Sequence, residues 1–188
     1  MERFFRTVSN ISPLLPATEQ AVAEVLHRLE LPAGHLLVRQ NTVCDYLYFI
    51  ESGLTRTFYY KHEKDVTDWI SAENSFAVSI LSFISRQPDR RMIELLEPSV
   101  LWALHYSDFE YLCERYHDFE RLGRHLAALG LVQLQKKFDD AHFATALERY
   151  RLFMQTNPSL LQRVPLGMIA SYLGITQETL SRIRAQII

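Results

Sequence analysis

Near the end of the sequence, Gln177, Glu178, Thr179, Ser181, Arg182 and Arg184 set hydrogen-bonding and cationic side chains close together. With Thr176 they make a set that could read a DNA duplex. A Gln amide pairs with adenine, a forked Arg with guanine, and Thr or Ser hydroxyls reach bases or phosphates. Nothing comparable speaks for catalysis. The chain carries no Ser-His-Asp set, no phosphate loop and no zinc motif, so no enzyme and no catalytic residue are expected. Asp139-Asp140 and the Asp65/Asp68 pair read as solvated turn or helix-surface residues. His35, His62, His105, His117, His125 and His142 are scattered and lack ligand-type neighbours, so neither a metal nor a cofactor is expected.

The polar row needs a helix to carry it and a second helix to brace it. Ala170 is small where two helices would cross, Gly174 can turn the chain left-handed, and Ile175, Leu180 and Ile183 fall on one side as a shared core. Thr176 is a suitable N-cap, and Glu178 sits in the first turn, near the positive end of the helix dipole. The spacing therefore predicts a helix-turn-helix from about Val164 to Ile188. An ordinary helical hairpin is the bland alternative. The overall charge of −2 hides an asymmetry of +3 from His142 onward against −5 before it, which fits a basic reading head on an acidic body.

Upstream, the texture is that of a globular protein. Hydrophobic residues make up 48% and charged residues 22% of the 188. No apolar run approaches the roughly 18 residues that span a bilayer, no secretory signal is read at the start, and a cytoplasmic location without membrane partners is expected. Cys44 and Cys113 make neither a disulfide framework nor a Cys-rich metal site. Thr18 to Leu31 has helical spacing with Thr18 as its cap. From Gly34 to about Leu104, short β-branched and aromatic runs alternate with turn residues. They predict an antiparallel sheet or barrel, with a helical patch at Ser75 to Ile84 and a tight turn at Gly53. Ser107-Asp-Phe-Glu110 reads as a capping box. Helix follows to Ala141, with a break near Tyr116 to Asp118, and another helix runs from Phe143 to Thr156.

The long helix carries Phe119, Leu122, Leu126 and Leu129 at heptad steps, continued by Gln133, while Leu131, Leu134 and Phe138 lie on a different face. Gly123, Ala127 and Gly130 would let a second backbone approach. A dimer seam of Phe119, Leu122, Gly123, Leu126, Leu129, Gly130 and Gln133 is expected; a helix buried within one subunit is the other reading.

This order of parts resembles the Crp-Fnr family of bacterial transcription regulators. LPAGHLLVRQNTVCDYLYFIESGLTRTFYY is similar to the opening strands of the cyclic-nucleotide-binding fold, and ITQETLSRI matches the family's DNA-reading motif. The resemblance implies an α+β fold with three parts. These are an N-terminal antiparallel β-roll as sensor (1–116), a dimerisation helix (117–141) and an all-α helix-turn-helix domain (142–188). It implies a homodimer on a palindromic double-stranded DNA operator, contact with RNA polymerase, and base or phosphate contacts from Gln177, Glu178 and Arg182. Relatives that bind cyclic nucleotides carry a Gly-Glu pair for the ribose and an Arg, then Ser or Thr, for the phosphate. Here Val78-Ser79 and Asp89-Arg90 stand in those places. An effector pocket of Trp69, Phe76, Val78, Ser79, Phe83, Asp89, Arg90 and Arg91 is therefore expected to refuse cyclic AMP in the usual way. It would take an unknown, greasier small molecule or be filled by the protein itself. Two cysteines cannot supply the four ligands of the family's iron-sulfur type. The chain also shows no residues for the wing that many relatives add, as in a shorter subgroup. A cyclic-nucleotide-binding-like module that controls a protein partner without DNA is the second functional reading.

Overall fold

The computed structural model describes residues 1–187. Two short helices, α1 (Glu2–Ile11) and α2 (Pro16–Val25), precede eight strands: β1 (His27–Leu31), β2 (Leu36–Val38), β3 (Tyr46–Ser52), β4 (Thr55–Lys61), β5 (Lys64–Ser71), β6 (Phe76–Ala77), β7 (Met92–Leu95) and β8 (Ser99–His105). Helix α3 (Ile80–Ser85) interrupts them. The strands pair antiparallel in two four-stranded sheets, β1-β8-β3-β6 and β2-β7-β4-β5. Alternating apolar and polar positions fill the space between them with Val38, Ile50, Phe83, Ile93, Leu95 and Leu101. At the β3–β4 turn Gly53 has φ +111°, and a Cβ there would lie 2.0 Å from Ser99 Oγ, so the position needs glycine.

The expected helix from Thr18 to Leu31 stops earlier. Residues 27–31 are a strand, because pairing with β8 along its whole length outweighs local helical spacing. Thr18 is no cap; it is buried and donates to Asp118 Oδ1 at 2.9 Å. Helix α4 (Tyr106–Arg115) is capped by His105, whose ring accepts from the Ser107 amide, so the helix starts two residues before the place expected and a His cap stands instead of the capping box expected at Ser107. The break falls at Tyr116, and α5 (His117–Phe143) then runs unbroken through Phe143. The capping box proper is at Thr145 and Glu148, opening α6 (Ala146–Thr156). A single turn, α7 (Leu160–Arg163), leads to α8 (Leu166–Tyr172) and α9 (Gln177–Ile187).

Two features hold the last helices on the roll. Leu54, Ile70, Ala72 and Leu96 of the roll join the core made by Tyr150, Phe153, Ile169, Leu180 and Ile183. Above them, Arg163 forks onto Glu73, with NH1 at 3.0 Å and NH2 at 2.7 Å, and also reaches Glu97 at 2.5 Å and the Gly53 carbonyl at 3.3 Å. Its hydrogen bonds to the Glu97 and Glu73 carboxylates hold the Arg163 guanidinium above its already high ordinary range.

Candidate nucleic-acid interface and effector cleft

The turn between α8 and α9 forms for the reasons its residue types suggest. Gly174 takes φ +67°, and the Ile175 amide donates back to the Ala170 carbonyl at 3.0 Å. Ala170, Leu180 and Ile183 are buried between the helices. Thr176 Oγ1 accepts from the Thr179 amide at 3.2 Å, so Thr176 caps α9. Its own amide bonds and the Thr176 hydroxyl hold the Glu178 carboxyl below the ordinary range, so it is ionised at neutral pH.

The predicted reading row does not behave as one set. Thr176, Gln177, Glu178, Ser181, Arg182 and Arg184 are exposed along one side of the pair. Thr179 is half-buried, and its hydroxyl lies 3.1 Å from Thr176 Oγ1 while accepting from Arg182 at 3.4 Å. It thus braces Arg182. Gln177 lies over Gly167, where a Cβ would meet its Oε1 at 3.1 Å. The charge asymmetry also weakens on inspection. Arg163 is spent on Glu73 and Glu97, and Arg149 donates to the carbonyls of Leu173, Ala144 and Asp140. Sequence reasoning missed both roles, and nothing near either residue in the chain signals them.

The second candidate site lies at α3 and the approach to β7. Ser79, at the start of α3, donates to Asp89 Oδ2 at 2.6 Å, and both are buried. The Asp89 backbone bridges to Thr42, and its carbonyl accepts from the Asn41 amide at 2.7 Å. Burial works against the Asp89 charge. The Ser79 hydroxyl, Arg91 and two backbone amides outweigh it and hold the carboxyl below the ordinary range. Arg91 turns inward to Asp68 and Asp89, whereas Arg90 is exposed. Phe83 is buried against Tyr106 and Phe109, and Val78 packs on the same cluster. Two of the expected lining residues lie elsewhere. Phe76 packs with Phe4 and Phe49 beside an apolar crevice of about 10 Å³ beneath α1. Trp69 faces Tyr172 of α8 edge to face at 6.3 Å. The two belonged to other layers of the fold that hydrophobicity alone could not separate.

The expected seam on α5 divides as well. Phe119 and Leu122 are buried against α1, and Gly123 faces the Phe109 ring, where a Cβ would lie 3.3 Å away. Leu126 is half-buried on the same cluster. Leu129 and Gln133 are exposed, and Gly130 has open space beside it. Leu131, Val132, Leu134 and Phe138 are each more than half exposed, so the larger uncovered apolar face is the other one. Among the described residues no three His, Cys, Asp or Glu side chains gather as a metal ion would need, and no helix is long and apolar enough to cross a membrane.

Residues 28–116 match the family of the cyclic nucleotide-binding domain. No curated protein sequence matches the chain. Solved structures of the same fold include FixK2 from Bradyrhizobium japonicum, at TM-score 0.77 and 16% identity over 87% of this chain and 84% of that one. They also include a proposed transcriptional regulator of the crp/fnr family from Eubacterium rectale, at TM-score 0.70 and 16% identity over 90% and 82%. A third is the c-di-GMP responsive global regulator CLP of Xanthomonas campestris, at TM-score 0.68 and 15% identity over 91% and 90%. At these identities the likeness is one of fold: a cyclic-nucleotide-binding roll followed by helices.

Proposed function

We propose that this protein is a sequence-specific DNA-binding transcription regulator of the Crp-Fnr type, acting as a homodimer. The observation that carries the reading is the α8–Gly174–α9 unit, with Gln177, Glu178, Ser181, Arg182 and Arg184 directed away from a core of Ala170, Leu180 and Ile183. A slender helix with such a face enters a major groove, where Glu178 accepts from a cytosine amino group and Arg182 donates to guanine. The uncovered stripe of α5 supplies the two-fold contact, and each half of a palindromic operator takes one α9. The roll then serves as a regulatory body. At the places where the resemblance puts the Glu and Arg that hold a cyclic nucleotide, Ser79 and Asp89 bond to each other. A module that controls a protein partner without DNA would leave the outward row of α9 without a use. A genome-wide map of bound sites tests the proposal: a shared two-fold motif is expected, and the absence of any enriched motif would overturn it.

A further inference from the structure

Gln177 is the first residue of α9, where the Cα–Cβ bond tilts back toward the start of the helix. Its exposed side chain runs back over α8 and ends against Gly167, the second residue of that helix. A Cβ at position 167 would stand 3.1 Å from Gln177 Oε1 and 3.9 Å from Gln177 Cδ, and the first of these is tighter than ordinary contact. The backbone gives no other reason for a glycine there. Its φ is not positive, and alanine would order in α8 at a smaller entropic cost. What the missing side chain leaves is room for the Gln177 amide.

We infer that Gly167 is a positioning residue for DNA reading: it lets the Gln177 amide lie back over α8, so that Gln177 donates to the DNA backbone and leaves base choice to Glu178 and Arg182. This rests on the proposal that α8 and α9 read a duplex. A Gln pairs with adenine through both ends of its amide, the oxygen accepting from N6 and the nitrogen donating to N7. Here the oxygen is turned onto the protein's own chain, and one end is not enough for that pair. The nitrogen is left as a donor. In a helix-turn-helix the second helix lies in the groove while the first crosses the backbone, so a side chain laid over α8 meets phosphate oxygens rather than base edges. Such contacts fix the register of the protein on the duplex and carry no sequence information directly. A methyl group at position 167 would crowd the amide oxygen. The far end of a flexible side chain gives way more readily than backbone, so Gln177 would swing outward with both ends of its amide free for a base.

Selection from a randomised duplex library with the full chain, followed by fluorescence anisotropy on the selected duplexes, tests this. Wild type and Gln177→Ala should select the same half-site, the variant binding every duplex about threefold more weakly. Gly167→Ala should melt no lower than the wild type. It should also gain one adenine in each half-site, preferred about tenfold over the other bases. In the double variant with Gln177→Ala that preference should vanish, which separates a freed amide from a shifted α9. The inference is overturned if Gln177→Ala removes an adenine preference that the wild type already has, a comparison that stands even if Gly167→Ala does not fold. It is also overturned if Gly167→Ala selects the wild-type site unaltered, or if the double variant keeps the new adenine. A wild-type chain that selects no motif at all overturns the DNA reading itself, and this inference with it.

Discussion

Ser79 ahead of α3 and Asp89 ahead of β7 close on each other, the buried hydroxyl donating to the buried carboxylate at 2.6 Å. The sequence resemblance implies that cyclic-nucleotide-responsive members of the family carry a Glu and an Arg at these two places. Here the pair satisfies itself, and Arg91, the cation beside it, is already shared by Asp68 and Asp89.

Cyclic AMP and cyclic GMP should therefore leave the thermal unfolding of this protein unchanged. A buried cyclic phosphate is a monoanion whose desolvation must be offset by a cation and donors, and Asp89 repels it. A ligand at a hundred times its dissociation constant would stabilise the fold by about 2.7 kcal/mol. A saturable rise in melting temperature at micromolar nucleotide, abolished by Arg91→Ala, would show that Arg91 had left its acids for the phosphate.

Acid should destabilise the fold through three carboxylates. Burial raises the pKa of Asp89, Asp118 and Glu73, but in each case hydrogen bonds outweigh it. They come from Ser79 for Asp89, from the Leu15 amide and Thr18 for Asp118, and from Arg163 for Glu73, and each group titrates below its ordinary range. Groups depressed in the folded state stabilise it above their unfolded pKa values of about 4. They lose that contribution as the pH falls through the folded ones. Urea unfolding should show constant stability from pH 7 to 5 and a fall below about pH 4, shallower in Asp118→Asn. Equal stability at pH 5 and 3 would contradict this.

Arg182→Ala should cost about 1–3 kcal/mol on the preferred duplex and relax base choice there. Arg184→Ala should weaken all sequences alike and flatten the salt dependence. Thr179→Val, which takes away the hydroxyl bracing Arg182, should resemble Arg182→Ala in kind and be smaller. Fluorescence anisotropy with specific and scrambled duplexes separates these outcomes. Small, equal effects on both duplexes would remove α9 from the interface.

Leu134→Asp should give folded monomers that bind an operator with half-sites about 10 bp apart far more weakly than the wild type, because it places charge on the uncovered face of α5. Phe119→Ala should instead unfold the protein more readily, by about 3–5 kcal/mol, since its ring lies in the core of its own chain. Sedimentation and thermal melts read the two effects apart. A wild-type monomer at micromolar concentration would count against the dimer.

Local chemistry was legible in the sequence where neighbours decide the structure. The strands of the roll announce themselves by aromatic and β-branched residues between turns, and the α8–α9 unit by a small residue, a glycine and apolar positions in register. Residues 27–31 were not legible as strand, because their helical spacing continues that of α2 and only β8, some seventy positions on, overrules it. The division of the α5 face was hidden for the same reason: α1 takes Phe119 and Leu122 from the far end of the chain. Arg149 and Arg163 count in the sequence only as part of the basic charge from His142 onward, and Lys137 carries no mark of its own. The partners of Arg163 and Lys137 lie between 66 and 110 residues away, and no local pattern points to them.

The Arg163 clasp limits how freely the terminal helices could be exchanged for others. A chimera that joins this roll to a foreign helical segment anywhere between Ala144 and Gln162 would leave Glu73 and Glu97 facing each other with no guanidinium between them. A graft of this head onto a foreign roll would carry a cation to a surface lacking its two acids. Either hybrid keeps both folds and loses the joint, so shuffled relatives of this protein should be viable only when the β5–β6 loop, the β7–β8 turn and α7 are inherited together.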